Sequence, residues 1–205
     1  DALTGWLERR RDAVLAISPD LAPMADRAAA ILSGGKRMRP AFCVWGAVAV
    51  GGVPTGPDAA ALVAAASSLD VLHVSALVHD DVMDASDTRR GVPAAHRQFE
   101  ADHRDAGARG SAEDFGRAGA ILLGDLLLVW SVEAFESSGL DAAARHRARP
   151  YLDAVRTEVT APIVSAAREA LTEWQQADAA ENAAGEQVRA ASWFGKRRAR
   201  TEHEN

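Results

Sequence analysis

The stretch LVHDDVMDASDTRRG, Leu77–Gly91, gathers acidic side chains at the end of a run that is otherwise typical of a helix: Asp80, Asp81, Asp84 and Asp87. Like charges one turn apart weaken a helix by a few tenths of a kcal/mol per pair. Asp80 and Asp84 lie four residues apart and share a face, and Asp87 would extend that row if the helix persisted. Asp81 points about 100° away. The cluster therefore predicts a positively charged partner, although a solvated acidic helix end is the simpler interpretation.

Two arginines favour a specific partner for these carboxylates. Carboxylates on one face suit Mg²⁺, which combines one or two of them with waters and phosphate oxygens. Arg89 and Arg90 follow the acidic face directly, and guanidinium groups pair well with phosphate. Together they predict a site for a metal–phosphate ligand. The alternative is that the arginines only neutralise the neighbouring aspartates.

A second basic cluster lies in GGKRMRP, Gly34–Pro40, between two predicted helices. Lys36 and Arg39 are three residues apart and can face one way, which leaves Arg37 turned elsewhere. A helix N-terminus beside basic side chains attracts anions. Taken alone, the cluster would be interpreted as a solvated interhelix turn; beside the acidic motif, an anion site becomes the competing prediction.

Two further polar residues lie in apolar helical surroundings. His73 precedes Asp80 by two helical turns on the same face, which favours a ligand role there at least as much as ordinary packing. Asp125 lies in GDLLL, Gly124–Leu128, where a structural hydrogen bond is the expected role.

The composition indicates an all-α protein. The chain has 205 residues, 48% of them hydrophobic but only 5% aromatic, and alanine dominates, as in packed helices. A net charge of −6 argues against a nucleic-acid partner. The single cysteine, Cys43, is expected in the core. Asp1–Arg11 lacks the apolar region of a signal peptide, and no run reaches ~18 uninterrupted apolar residues. We therefore expect a cytoplasmic protein with no integral membrane segment.

Helical spacing and Gly or Pro breaks predict the order of the elements. Helices are expected over about 3–17, 21–33, 40–51, 57–84 and 113–137, and Pro150 is expected to open another that Pro162 interrupts. The polar stretch Glu100–Gly110 predicts a loop. Residues 175–205 predict a polar tail with little order, because few large apolar side chains remain there.

Three motifs in this order, GGKRMRP, HVSALVHDDVMDASDTRRG and GDLLL, resemble the trans-type isoprenyl diphosphate synthases, the polyprenyl synthetase family. The resemblance covers roughly Leu3–Thr160 and is most specific over Leu72–Gly91. It implies an isoprenoid-synthase-type orthogonal helical bundle around a deep cavity, usually in a homodimer or larger assembly. The implied reaction is the Mg²⁺-dependent, head-to-tail condensation of isopentenyl diphosphate with an allylic diphosphate.

The resemblance also implies roles for single residues. Asp80 and Asp84 would be catalytic as ligands of Mg²⁺, with Asp81 in the shell behind them. Arg89 would contact the allylic diphosphate and stabilise its departure. The isopentenyl diphosphate site would be formed by Lys36, Arg39, His73 and Arg90.

Product length is implied by the two residues one turn before the aspartates, Ser75 and Ala76. In this family a bulky aromatic there stops chain growth early. Both are small here, which indicates a geranylgeranyl or longer product, although Leu72 could close the pocket more deeply.

The resemblance stops near Thr160. Ala161-Pro162 stands where the family has Gly-Gln, and neither a Lys-Thr motif nor a second aspartate-rich motif follows. We therefore expect residues 1–174 to be the N-terminal portion of an incomplete synthase domain, inactive or nearly so when isolated. A reading-frame shift near Thr160, a gene fragment and a non-catalytic partner subunit are the competing explanations.

Two other classes of protein remain open. One is a non-enzymatic helical fragment that binds diphosphate or a partner subunit. The other is a class I terpene cyclase, which would not need the two basic motifs for a second diphosphate.

Overall fold

The computed structural model describes residues 2–161 together with Thr172 and Gln176. Residues 2–161 lie within one compact unit, Asp1–Ile163. The predicted break at Pro162 and, apart from Gln176, the predicted tail over 175–205 lie outside the described residues.

The described chain is built almost entirely of helices, which confirms the all-α prediction. A short 3₁₀ turn, Pro19–Leu21, separates the first two helices, and a two-stranded antiparallel ladder precedes the fifth. The elements are α1 Ala2–Ile17, α2 Ala22–Ser33, α3 Met38–Gly51, α4 Gly56–Met83, β1 Thr88–Arg89, β2 Val92–Pro93, α5 Ala95–Asp105, α6 Ala112–Glu136 and a helical segment over 142–161, here α7.

Local capping accounts for several of the boundaries. Ser18 follows α1 and its hydroxyl accepts a 3.2 Å hydrogen bond from the Asp20 amide. Ser111 precedes α6, and its hydroxyl accepts a 3.1 Å bond from the Asp114 amide. Satisfying free amides in this way places the first turn of a helix.

The core forms where α4 packs along α6, with α5 packed mainly against α6 and with α1 and α2 in contact with α4. Leu32, Val71, Val78, Leu123 and Leu127 are almost fully buried in the main cluster. A second cluster joins α4, α6 and α7 through Leu72, Phe135 and Leu152. The middle and the C-terminal part of α4 are therefore held by apolar packing.

The predicted loop over Glu100–Gly110 is wrong, because α5 runs through to Asp105. The buried face of α5 is mostly polar and escapes a search for apolar periodicity. Glu100 is buried between Arg97 and Arg104, and the His103 ring lies 3.1 Å from the Arg109 carbonyl. These partners satisfy groups that the sequence pattern assigns to solvent.

Two proline predictions also need correction. α3 begins at Met38, so Pro40 is its third residue rather than its first. Helical structure over 142–161 begins well before Pro150, because the Asp141 carboxylate accepts a 2.8 Å bond from the Ala144 amide and caps it. In α3, all of whose residues are described, none is fully buried. Cys43 is accordingly only half-buried, which corrects its placement in the core, and burial raises the pKa of its thiol.

Two described helices, α4 and α6, are long and apolar enough to cross a membrane by length and composition. Their apolar side chains form most of the core described above. The described part of the chain therefore uses them as core helices, the other setting in which such sequences occur.

Candidate functional site

The two aspartates predicted to bind metal lie at the C-terminal end of α4. Asp84 is the first residue after the helix, and its amide donates a 2.8 Å bond to the Asp80 carbonyl. Both side chains face solvent, with that of Asp80 55% exposed. Because the helix ends there, Asp87 does not extend the row, and its carboxylate accepts a 2.8 Å bond from Nε of Arg97.

Asp81 differs from its neighbour in being buried. Its Oδ1 accepts a 2.9 Å hydrogen bond from Nε of Arg89 and a second from the Nη2 of the same guanidinium. The hydrogen bond with Asp81 raises the pKa of Arg89. Nη2 of Arg89 also lies 3.8 Å from Oδ2 of Asp80. Asp81 thus holds a permanently charged guanidinium beside the exposed carboxylate of Asp80.

A tight hairpin directs the two arginines differently. Thr88 pairs with Pro93 and Arg89 with Val92 across the ladder. The turn between the strands has two residues of positive φ, Arg90 at 54° and Gly91 at 80°, as a two-residue hairpin turn requires. Arg89 therefore points back to α4 while Arg90 leaves from the turn itself.

Arg90 lies against the basic motif GGKRMRP. Its Nη1 is 3.4 Å from the Ile31 carbonyl, and a Cβ added at Gly35 would come within 3.0 Å of Nη2. The glycine pair of GGKRMRP therefore leaves room for the guanidinium of Arg90, which belongs to the aspartate-rich stretch. Motifs far apart in the sequence meet at this point.

Within GGKRMRP, Arg37 takes a structural role. It adopts left-handed backbone geometry, φ 52°, and its guanidinium contacts the buried carboxylate of Asp70 and the Leu32 carbonyl. Burial and the nearby charge of Arg90 lower its pKa. Lys36 and Arg39 stay exposed, so the predicted separation of Arg37 from its two basic neighbours is observed.

His73 lies among cations. It is partly buried, and burial lowers the pKa of its imidazole, with further lowering from Arg39, Arg90 and Arg89. These residues come from three separate segments. Their mutual repulsion means that an anion placed among them would be stabilised.

The two predicted chain-length residues point in different directions. Ser75 is 2% exposed, and its Oγ donates a 2.7 Å bond to the Gly124 carbonyl of α6. Ala76 is only partly buried, four residues before Asp80 and four after Leu72. Leu72 itself lies in the core cluster with Phe135 and Leu152. The face of α4 that carries Asp80 therefore continues through Ala76 to Leu72. Ser75 lies on the face that packs against α6.

Sequence reasoning overlooked His79. Its Nε2 lies 3.2 Å from the Ile121 carbonyl and 3.3 Å from Oδ1 of Asp125. Asp125, expected to make a structural hydrogen bond, is 60% exposed and has this imidazole as its neighbour. The position of His79 directly before the aspartate pair was the available signal.

The donor set at the end of α4 suits a hard cation only in part. No group of three or more His, Cys, Asp or Glu side chains stands ready for a metal in the part of the chain that the structure describes. Asp80 and Asp84 offer carboxylate oxygens that are open to solvent. Mg²⁺ accepts few protein ligands when waters and substrate phosphates complete its octahedron. The residues therefore fit a cation that arrives with a phosphorylated ligand.

The family model for polyprenyl synthetases matches residues 23–184, more than half of the sequence. The chain belongs to the polyprenyl synthetase family. The match includes GGKRMRP, the aspartate-rich stretch and GDLLL, so the site described above lies wholly within it.

Several relatives share this part of the sequence. Geranylgeranyl pyrophosphate synthase 11, chloroplastic, of Arabidopsis thaliana is 38% identical over 119 residues, which cover 56% of this chain and 28% of the relative. The short chain isoprenyl diphosphate synthase of Methanothermobacter thermautotrophicus is 34% identical over 132 residues, or 64% of this chain and 34% of the relative. The chain thus spans about a third or less of these curated relatives.

A solved structure supports the fold. Geranylgeranyl pyrophosphate synthase from Corynebacterium glutamicum, complexed with isoprenyl diphosphate and magnesium, superimposes with a TM-score of 0.66 at 36% identity. The superposition covers 77% of this chain and 45% of the other. The isoprenoid-synthase-type helical fold predicted from the motifs is therefore confirmed.

Proposed function

We propose that this chain contributes the binding half of a prenyltransferase site, which condenses isopentenyl diphosphate with an allylic diphosphate. One observation carries the proposal. Buried Asp81 holds Arg89 beside exposed Asp80, while Arg90 and Arg39 converge near His73. Two anion sites therefore adjoin, one with carboxylates for a cation and one made of cationic groups. A reaction between two diphosphates needs such a pair.

This geometry supports the roles that the family resemblance implies for single residues. Asp80 and Asp84 would hold Mg²⁺, which supplies charge neutralisation for the allylic diphosphate. Arg89 would stabilise the charge that develops on the departing diphosphate as the allylic C–O bond ionises. Lys36, Arg39, His73 and Arg90 would bind isopentenyl diphosphate, and the related synthase crystallised with isoprenyl diphosphate and magnesium supports these ligand classes.

The bond-forming step needs no protein nucleophile. The double bond of isopentenyl diphosphate attacks the allylic cation, and the proton then lost passes to the released diphosphate. Apolar residues along α4 would keep water from the cation. Ala76 is small and only partly buried on the face of α4 that carries Asp80, which supports a geranylgeranyl or longer product.

The assembly and location belong to the same proposal. Large apolar side chains face solvent on the described parts of α3 and α6, including Phe42, Trp45, Leu122 and Val129. Surfaces of this kind associate, so we propose a homodimer or larger assembly. We also propose that the protein acts in the cytoplasm. Light scattering on the purified chain would measure its mass directly.

A second candidate is a non-catalytic partner subunit or diphosphate-binding fragment. The absence of a ready three-ligand metal group among the described residues favours it, as does the absence of a second aspartate-rich motif from the sequence. On this basis we expect the isolated chain to bind diphosphate with Mg²⁺ but to turn over slowly or not at all.

The test separates binding from turnover. Calorimetry would measure the Mg²⁺-dependent binding of inorganic pyrophosphate, and labelled isopentenyl diphosphate with each allylic diphosphate would measure condensation. Asp80→Ala should abolish binding, whereas Asp58→Ala, in the first turn of the same helix, should leave it intact. If both variants still bind pyrophosphate, the proposed site is contradicted. Rapid turnover that depends on Asp80 would refute the expected impairment.

A further inference from the structure

We propose that His79 and Ser75 are positioning residues, which hold Gly124 of α6 from two successive turns of α4 and thereby fix the last turn of α4, where Asp80 lies. The consequence for ligand affinity rests on the proposed function of Asp80. We call Ser75, His79 and Gly124 the Gly124 contact.

Both α4 residues reach the same short segment of α6. Ser75 donates its 2.7 Å bond to the Gly124 carbonyl. The imidazole of His79 lies over the α-carbon of Gly124, where an added Cβ would overlap the ring, and its Nε2 is 3.2 Å from the Ile121 carbonyl. The His79 side chain is only 13% exposed. Two carbonyls on adjacent turns of α6 are thus engaged by adjacent turns of α4.

Glycine is required at position 124 for a steric reason. The nearest ring atoms of His79 occupy the space that any other side chain would need. Gly124 has no positive φ, so backbone freedom does not explain it. The requirement for glycine is explained by the close approach of the His79 imidazole to the backbone at this position.

The Gly124 contact affects Asp80 because it fixes how the last turn of α4 is rotated about the helix axis. Helix ends fray because their last carbonyls lack intrahelical partners, and Asp80 and Asp84 stand at such an end. Rotation by one residue about the axis turns a side chain by about 100°. Ligand geometry tolerates errors of only about 10–20°. Since His79 directly precedes Asp80, holding its ring on α6 fixes the direction in which the Asp80 carboxylate leaves the helix.

The experiment compares three glycine variants and two readouts. Gly124→Ala should displace His79, speed amide hydrogen exchange over residues 80–84, and weaken Mg²⁺-dependent binding of inorganic pyrophosphate roughly tenfold. Gly119→Ala is the matched control on the same helix, since its added Cβ would meet Phe99 of α5 at 3.0 Å and not α4. Gly46→Ala meets nothing within 4 Å.

We expect Gly119→Ala to lower stability but leave both readouts unchanged, and Gly46→Ala to change neither. His79→Ala should reproduce the effect of Gly124→Ala. His79→Gln should restore much of the affinity, because its amide can still donate to the Ile121 carbonyl. Ser75→Ala should have a smaller effect of the same sign.

Failure of the two proposals can be told apart. If Gly124→Ala and His79→Ala leave exchange over 80–84 as in the wild type, the positioning role is overturned, whatever the binding data show. If the wild-type chain does not bind pyrophosphate with Mg²⁺, the proposed function is overturned, while the exchange measurement still decides whether the Gly124 contact fixes this turn.

Discussion

Nε of Arg89 donates a 2.9 Å hydrogen bond to Oδ1 of Asp81, and this pair ties the hairpin to the last turn of α4. Asp81 is 3% exposed, whereas Asp80 beside it faces solvent. Two adjacent and chemically identical side chains therefore have different tasks. One orients a guanidinium and the other is free to take a ligand.

This difference predicts opposite phenotypes for two asparagine variants. Asp81→Asn removes the buried charge opposite Arg89 and should lower the free energy of unfolding by about 1–2 kcal/mol. Asp80→Asn should change it by less than about 0.5 kcal/mol and abolish Mg²⁺-dependent pyrophosphate binding. Urea denaturation and calorimetry measure the two effects. Equal stability losses in both variants would contradict the assignment.

A second prediction separates two arginines of GGKRMRP. Arg37→Ala would leave the Asp70 carboxylate, 9% exposed, without its partner, and should cost about 2–3 kcal/mol of stability. Arg39→Ala should leave stability unchanged and weaken binding of isopentenyl diphosphate. The double variant Arg37→Ala/Asp70→Ala should recover part of the loss, because no buried charge remains unpaired. No recovery in thermal unfolding would argue against the pair.

A third prediction concerns the two residues of the chain-length position. Ser75→Phe forces a large ring into the packed α4–α6 interface and breaks the bond to Gly124, so it should destabilise by about 3 kcal/mol or more. Ala76 lies on the half-buried face of α4 that carries Asp80, so Ala76→Phe should fold normally. Wherever turnover is measured, Ala76→Phe should shorten the product. Thermal unfolding gives the first comparison without any assay of activity, and equal melting temperatures would contradict it.

The fourth prediction concerns pH. Burial, and then Arg39, Arg90 and Arg89, lower the pKa of His73 from its ordinary value of 6.5, so the folded state binds fewer protons than the unfolded state. The free energy of unfolding should therefore fall as pH drops below about 6.5 and level off below the folded pKa. His73→Gln should reduce this dependence. His96, whose pKa burial also lowers, contributes with the same sign and remains in that variant.

Diphosphate binding should reverse the effect at His73. An anion among the three arginines screens their charge and raises the pKa of the imidazole, so binding near pH 6 should take up protons. Calorimetry in two buffers of different ionisation enthalpy measures this uptake. If His73→Gln takes up as many protons on diphosphate binding as the wild type does, the anion binds away from His73.

Most helices could be predicted because their signals are local. Ser111 and Asp114 cap α6 through groups three residues apart, and apolar spacing places α1 and α4. α5 could not be predicted in this way. Its inner residues Glu100 and His103 are polar, and their burial depends on partners that a search for apolar periodicity does not consider.

The candidate site divides along the same line. The order and spacing of the acidic and basic motifs are properties of the sequence, and they were enough to predict the family and the candidate site residues. The family resemblance put Ser75 and Ala76 in one role, whereas the structure turns Ser75 into the α4–α6 interface.

The sequence by itself determined which chemical groups this protein possesses and which helices carry them, because helix formation and capping depend on neighbours within a few residues. Only the tertiary structure decided that Asp81 is buried while Asp80 is exposed, and that Arg90 lies on the glycines before α3. It also brought His79 onto Gly124. These relationships join residues distant in the chain, and they arise when apolar faces pack and leave each polar group either a partner or solvent.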